Sequence, residues 1–421
     1  MSYGNDENSP SYGRDASVPL LPSVSGSGYV ERQMSSQPKT FANVFIAIVG
    51  AGVLGLPYAF RQTGWAAGAI LLLAVAAFTF YCMILLIHTC RRLELDTFDQ
   101  INSFGDLGLA VAGPVGRLAV DVMIVLSQSG FCVGYLIFIS NTLTFLVPVS
   151  LPSLSSGAFY VLAVLPFQLG LNSIPTLTHL ALLSIFADIV DIGAMGVVIA
   201  EDASILLSNP PPVRAFTGPS VLLYGIGVAV YAFEGIGMVI PLEAEAGDKS
   251  NFGNTLGVSM ALIAFTYGLF GVLGYAAFGE ETRDIITTNL GDGVLSVLIQ
   301  LGLCINLFFT FPVMMNPVFE VAERLLHGKR YCWWLRWAAV VAVSLVATLV
   351  PNFGDFLSLV GSSVCVVLGF VLPAWFHLKV FREELGWAST IADIAIVIAG
   401  SVLAIFSTWS SLVSILSSVS S

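Results

Sequence analysis

The sequence predicts an all-α membrane protein of eleven transmembrane helices, and three observations predict it. First, 56% of the 421 residues are hydrophobic and only 10% are charged, where a soluble domain carries about a quarter. Second, apolar runs of roughly twenty residues, each long enough to cross about 30 Å of hydrocarbon, recur from Thr40 almost to the C-terminus. Third, the positive charges partition to one side of those runs. The runs are apolar all round, which excludes a water-soluble helical solenoid with one polar stripe per helix.

In chain order, residues 1–38 read as a disordered cytosolic tail, polar and rich in Ser, Tyr and Gly, with too little apolar surface to offset the entropy of ordering. Nothing in it resembles a cleavable signal, and its Leu20-Leu21 pair reads as chance rather than a sorting signal. The spans follow at 41–62, 65–89, 117–146, 157–171, 179–200, 219–241, 254–278, 292–315, 334–350, 355–379 and 389–412, each an apolar stretch between turn-rich or charged breaks. The fourth is short and holds Pro166.

With the N-terminus in the cytosol, the cytosolic side receives Arg14, Arg32, Lys39, Arg91, Arg92, Arg117, Lys249, Arg324, Lys329, Arg330, Arg336, Lys379 and Arg382. The opposite side receives Arg61, Arg214 and Arg283, a ratio of thirteen to three that follows the positive-inside rule. An omitted or invented helix would scramble this partition beyond the error, so the C-terminus is expected on the lumenal side. Residues 39–421 then form one transmembrane domain.

The net charge of −11, with no basic patch, excludes nucleic acid as a partner. None of Cys82, Cys90, Cys132, Cys304, Cys332 and Cys365 falls in a non-cytosolic loop, and no Cys/His spacing suits a metal. No Asn-x-Ser/Thr acceptor occurs, which fits an internal membrane. Neither a nucleophilic triad nor a Walker sequence is present, so neither an enzyme nor an ATP-driven pump is expected, and no cofactor or metal.

Two spans differ from the rest. The first contains Gly50-Ala51-Gly52-Val53-Leu54-Gly55-Leu56-Pro57; the sixth contains Gly225, Gly227, Gly235, Gly237 and Pro241 around Tyr231-Ala232-Phe233-Glu234. They correspond if spans 1–5 (about 41–200) and 6–10 (about 219–379) are two halves of opposite topology, with span 11 (about 389–412) outside the repeat. A helix interrupted at the midplane frees N–H and C=O groups that lipid cannot satisfy, so they must face protein or a wet cavity. The positive end of a half-helix receives a carboxylate, and the freed carbonyls receive an ammonium or other cation. An α-amino acid carries both charges close together. A single glycine here reads as close helix packing; two interrupted spans in corresponding positions read as a transporter site.

The stretches Asn43–Phe60 and Tyr231–Glu243 resemble the first and sixth helices of the amino acid/auxin permease family, and the resemblance extends from about Lys39 to the end of the chain. It is strongest to the branch of proton-assisted amino-acid transporters and plant vacuolar amino-acid exporters. The resemblance implies a LeuT-like 5+5 inverted repeat with broken helices 1 and 6 and a peripheral helix 11, proton-coupled movement of neutral amino acids, and a vacuolar or other acidic-organelle membrane. The animal carriers of that branch are associated with a lumenal disulfide; no cysteine here is placed for one, which favours the plant vacuolar side.

Substrate contact is assigned to Ile48, Gly50, Ala51, Gly52 and Val53 at the first break, to Tyr231 and Phe233 at the second, and to Tyr135 in span 3. Glu234 lies inside span 6, where a permanent carboxylate is costly, and is the first candidate for proton coupling. Asp188 and Asp191, three residues apart in span 5, are the rival pair, expected to share a proton. Asn306 and Thr310 in span 8 are candidates for a cation site. Asp121 reads as structural, Ser127, Gln128 and Ser129 as interhelical hydrogen-bonding groups, and His88, His179, His327 and His377 as helix-end groups contacting head groups or snorkelling. Expected partners are an amino acid, protons and the bilayer, with the chain acting as a monomer. A membrane amino-acid sensor is the main alternative, and a carrier of another small carboxylate such as auxin a second; a channel lacks its filter repeat.

Overall fold

The computed structural model describes residues 35–97, 100–149, 155–174, 180–208, 210–291, 293–328, 330–350 and 352–420. The expected tail therefore lies almost wholly outside the described residues, as does His179; the side chain of Asp188 lies outside them too.

Among the described residues, fourteen α-helical segments run as α1 (Gln37–Ile48), α2 (Leu56–Thr63), α3 (Trp65–Thr97), α4 (Phe104–Leu146), α5 (Ser156–Asn172), α6 (Leu180–Ser208), α7 (Leu222–Ala232), α8 (Ile236–Glu245), α9 (Phe252–Phe278), α10 (Val294–His327), α11 (Trp333–Leu349), α12 (Phe353–Val360), α13 (Leu372–Val380) and α14 (Trp387–Ser420). By length and composition, seven helices among the described residues can cross a membrane, eight if the pair Gln37–Ile48 and Ala51–Thr63, bent by 49°, is one span. The apolar α5 and α11 are shorter, at 17 residues each.

Local chemistry explains the interruptions. After Ile48 the chain is extended at Gly50 (φ −156°, ψ −169°), tightens into a 3₁₀ turn at Ala51–Gly55, and restarts as α2 with Pro57 in its first turn, where a missing N–H costs nothing. α7 ends at Ala232, and α8 begins after Gly235. α4 bends where Ala112 leaves helical geometry and Gly113 adopts φ +64°, a value that favours glycine, just before Pro114. This bend adds a segment from Phe104 that the expected span 117–146 omits. α12 passes through two π-helical turns, Gly361–Cys365 and Val367–Val371, before α13. The short α12 starts on a cap, Asn352 Oδ1 accepting from the Asp355 N–H at 3.0 Å.

α7 sits at the centre, against α2, α3, α12 and the first π turn. Its contact with α12 is backbone to backbone: a Cβ on Gly361 would lie 1.9 Å from the Gly227 carbonyl oxygen, and one on Gly227 2.5 Å from that of Ser358. Only glycine permits this approach. Large apolar side chains such as Ile70, Phe265, Leu298, Ile405 and Phe406 face outward, as a lipid-facing surface requires. At one end of the bundle, Ser35 N–H donates to Glu245 O at 2.9 Å and Gly247 N–H to Ser35 O at 3.0 Å, pinning the start of α1 to the end of α8.

Candidate functional site

The two interrupted segments cross each other. A Cβ on Gly52 would lie 3.0 Å from both the Ala232 Cα and the Tyr231 Cδ1, and one on Gly235 would lie 2.7 Å from Ile48 Cγ1. The backbone that leaves α1 thus packs directly on the backbone that leaves α7. Nothing lies within 4 Å of a Cβ placed on Gly50, so the extended residue of the first break faces open space.

α9 braces this crossing. The Tyr267 hydroxyl donates to the Ile48 carbonyl at 3.3 Å, supplying a partner to a helix-end acceptor that lipid could not satisfy. Phe233 packs on the Tyr267 ring at 5.2 Å, and Tyr231 meets Phe131 of α4 edge-on at 4.9 Å. Phe233 and Tyr231 are buried, as are Ala51, Gly52 and Val53. Of the residues assigned to substrate contact, Gly50 is the one beside which an added Cβ meets open space, while Ile48, Ala51, Gly52, Val53, Tyr135, Tyr231 and Phe233 are buried.

Glu234 is half-buried at the gap between α7 and α8, with its backbone N–H bonded to Tyr231 O at 3.3 Å. Its carboxylate reaches toward the π-helical segment, Oε2 lying 3.9 Å from where a Cβ on Gly369 would stand. Asp191 stands on α6, half-buried. Asn306 and Thr310 are bonded to each other, Thr310 Oγ1 donating to Asn306 O at 2.9 Å and standing 3.0 Å from its Oδ1. Asn306 Nδ2 has no partner in its buried position.

Several side chains depart from the sequence reading. His377 does stand in the last turn of α13, but it does not snorkel: it is buried, with Nδ1 2.7 Å from Asp393 Oδ2, and joins α13 to α14. Ser127 donates to Ile124 O of its own helix at 3.1 Å rather than across helices. Asp121, by contrast, has the structural part expected of it, accepting from Arg324 Nη2 at 2.6 Å and tying α4 to α10. The residue missed altogether is Asp202. It stands beyond the expected end of span 5 at 200, yet α6 continues to Ser208 and Asp202 is fully buried. A Glu-Asp pair at the end of an apolar run reads as a loop, and its burial depends on helices distant in sequence. A polar cavity of about 190 Å³ between α2, α7, α12 and α14, lined by Gln62, Tyr224, Asp355 and Ser407 among others, was likewise not legible.

Outside the spans, Asp284 accepts from the Phe353 N–H at 3.0 Å at the start of α12. Burial pushes its carboxyl above the ordinary carboxylate value, while backbone amides, Phe353 foremost, and Arg283 pull the other way.

With this geometry in place, three comparisons bear on it. Residues 33–413 match the family described as "Transmembrane amino acid transporter protein". The chain is 61% identical over 391 residues to the amino acid transporter AVT3A of Arabidopsis thaliana, covering 92% of each chain. It is 27% identical to vacuolar amino acid transporter 3 of Schizosaccharomyces pombe, covering 89% of this chain and 58% of that one. Among solved structures it is similar to MhsT in complex with L-phenylalanine, with a TM-score of 0.54 at 13% identity, covering 90% of this chain and 99% of that one. At that identity the likeness shows a shared LeuT-like fold and no more.

Proposed function

The chain belongs to the transmembrane amino acid transporter family, and from that membership we propose that it moves neutral amino acids across a vacuolar membrane as a proton-coupled secondary carrier. It is not an enzyme; its relatives are named transporters. The domain is read as eleven spans, N-terminus in the cytosol and C-terminus in the lumen, working as a monomer. Helices α1–α6 form one repeat and α7–α13 the other, with α14 peripheral.

The observation that carries the reading is the crossing of the two breaks at Gly52 and Ala232. In this reading the amino acid lies at the midplane beside Gly50. Its carboxylate takes the free N–H groups at the start of the 3₁₀ turn, and its ammonium takes carbonyls at the ends of α1 and α7. Tyr135, Tyr231 and Phe233 enclose it. The polar groups described at the crossing add no buried cation–anion pair for a charged side chain, which favours neutral substrates. Glu234 and the Asp188–Asp191 pair are the coupling candidates, since a proton that binds when the site is closed and leaves when it opens ties transport to the gradient. Asn306 and Thr310, bonded to each other on α10, are kept as the candidates for a cation site. The name of the fission-yeast relative supports the vacuolar placement.

Uptake of labelled L-alanine and L-phenylalanine into sealed vesicles holding the purified chain, with and without an imposed pH gradient, tests this. Accumulation that rises with the gradient is expected. Saturable binding without uptake would make the protein a sensor instead.

A further inference from the structure

Asp202 is fully buried, and neither of its carboxylate oxygens has a hydrogen-bond partner among the described residues. It stands where three helices meet: a Cβ on Gly274 of α9 would lie 2.7 Å from the Pro57 ring of α2 and 3.3 Å from Asp202 Oδ2. Pro57 belongs to the first turn after the break, so the carboxyl is packed against the start of the short helix that follows the crossing.

Among the described residues, the surrounding charges offer it no counter-ion. Its own helix places Glu201, of like sign, beside it. On α2, Arg61 is taken by the Thr282 carbonyl at 3.1 Å and by Glu280 at 3.9 Å, next to Tyr58. On α9, the Tyr275 hydroxyl accepts from the Arg214 N–H at 3.0 Å, and Arg214 is itself paired with Glu280 at 3.4 Å. α10, also packed on α6, carries buried Cys304 and keeps Glu320, Glu323, Arg324 and His327 in its last turns. Those turns lie at the other end of α6, where Arg336, bonded to Glu323, also reaches Ile174. An ionised carboxylate without partner or cation is not sustained in such a place, whereas the neutral acid is.

We propose that Asp202 is a proton-binding residue of the transport cycle, neutral while Pro57 and Gly274 enclose it and ionised once α2 swings away and admits water. The proton enters and leaves as the gate on this side of the bundle opens, so its binding is linked to the conformation rather than to substrate contact. This rests on the reading of the chain as a proton-coupled carrier, and it adds a group to Glu234 and the span-5 pair.

The full chain in sealed vesicles separates the two. Asp202→Asn imitates the neutral acid, and Asp202→Glu keeps a titratable group. Two readouts are needed: accumulation of labelled L-alanine under an imposed pH gradient, and exchange of labelled for unlabelled L-alanine at equal pH. The expected result is Asp202→Asn that exchanges within about twofold of the unaltered chain yet accumulates no more with the gradient than without it, with Asp202→Glu recovering about half or more of the accumulation. Full gradient-driven accumulation by Asp202→Asn overturns the inference, as does loss of exchange in both variants, which would make the residue a packing element. An unaltered chain that exchanges but ignores the gradient refutes proton coupling itself, and the role of Asp202 falls with it.

Discussion

The Tyr267 hydroxyl donates to the Ile48 carbonyl at 3.3 Å, so a side chain of α9 closes the end of α1 where helical bonding stops. Tyr267 is fully buried, and its removal leaves an acceptor that neither lipid nor the helix can satisfy. Tyr267→Phe keeps the ring against Phe233 and deletes one hydrogen bond, with a net worth of about 1 kcal/mol. Amino-acid uptake is expected to slow by about fivefold, with the helical content by circular dichroism unchanged. Unchanged uptake would show that the break holds itself.

The two glycines of the first break are expected to behave differently. At Gly52 a Cβ meets the Ala232 backbone at 3.0 Å, so Gly52→Val must force the segments apart; at Gly50 it meets nothing. Gly52→Val is expected to abolish uptake, through overpacking of about 1–3 kcal/mol at the crossing. Gly50→Ala should fold normally and alter the apparent affinity for substrate. Equal effects of the two on uptake and on thermal stability would contradict a substrate space beside Gly50.

Arg336 and Glu323 form a buried pair at 2.8 Å, and the same Glu323 oxygen accepts from the Cys332 N–H at 3.1 Å. Removing one member of a buried pair strands the other charge. Arg336→Met is expected to destabilise the detergent-solubilised protein by about 3 kcal/mol, and adding Glu323→Met should restore much of that. A thermal-melt series on the two single variants and the double variant measures it; a double variant as weak as the singles would show that the pair is not coupled.

Asp284 supplies the pH dependence that can be predicted outside the membrane. Burial raises its carboxyl above the ordinary value of 3.8, so the folded chain holds this proton more tightly than the unfolded chain. Its contribution to stability is present in full below the unfolded value and is lost as pH rises through the raised folded value. Asp284→Asn keeps the oxygen that accepts from Phe353 and removes the proton linkage. The melting temperature of the unaltered chain, relative to Asp284→Asn, should therefore fall as pH rises across that window. A difference that grows with pH in the opposite sense would place the raised value in doubt.

The apolar runs were legible because lipid demands them, and the breaks because glycine and proline stand where a helix should continue: Gly50 and Gly235 sit at the two interruptions. Legibility stopped where a residue's meaning depends on a distant partner. The last turns of α10 read as loop because Glu320, Glu323 and Arg324 are charged; the helix persists because Arg324 meets Asp121 and Glu323 meets Arg336. His377 looked like a surface group until Asp393, on the next helix, came to lie against it. Asp202 looked like the end of a span for the same reason, since Gly274 and Pro57 enclose it from positions far along the chain.

The contact between Gly227 and Gly361 has a mechanical consequence. Side chains that interdigitate can change rotamer and let two helices slip, but here carbonyl oxygen meets Cα with nothing in between to yield. α7 and the first π turn are therefore riveted, and any tilt of α7 is a tilt of α12 as well. Strain applied to α7 is thereby passed to the loosely wound turns that follow α12 instead of being absorbed by side chains between them.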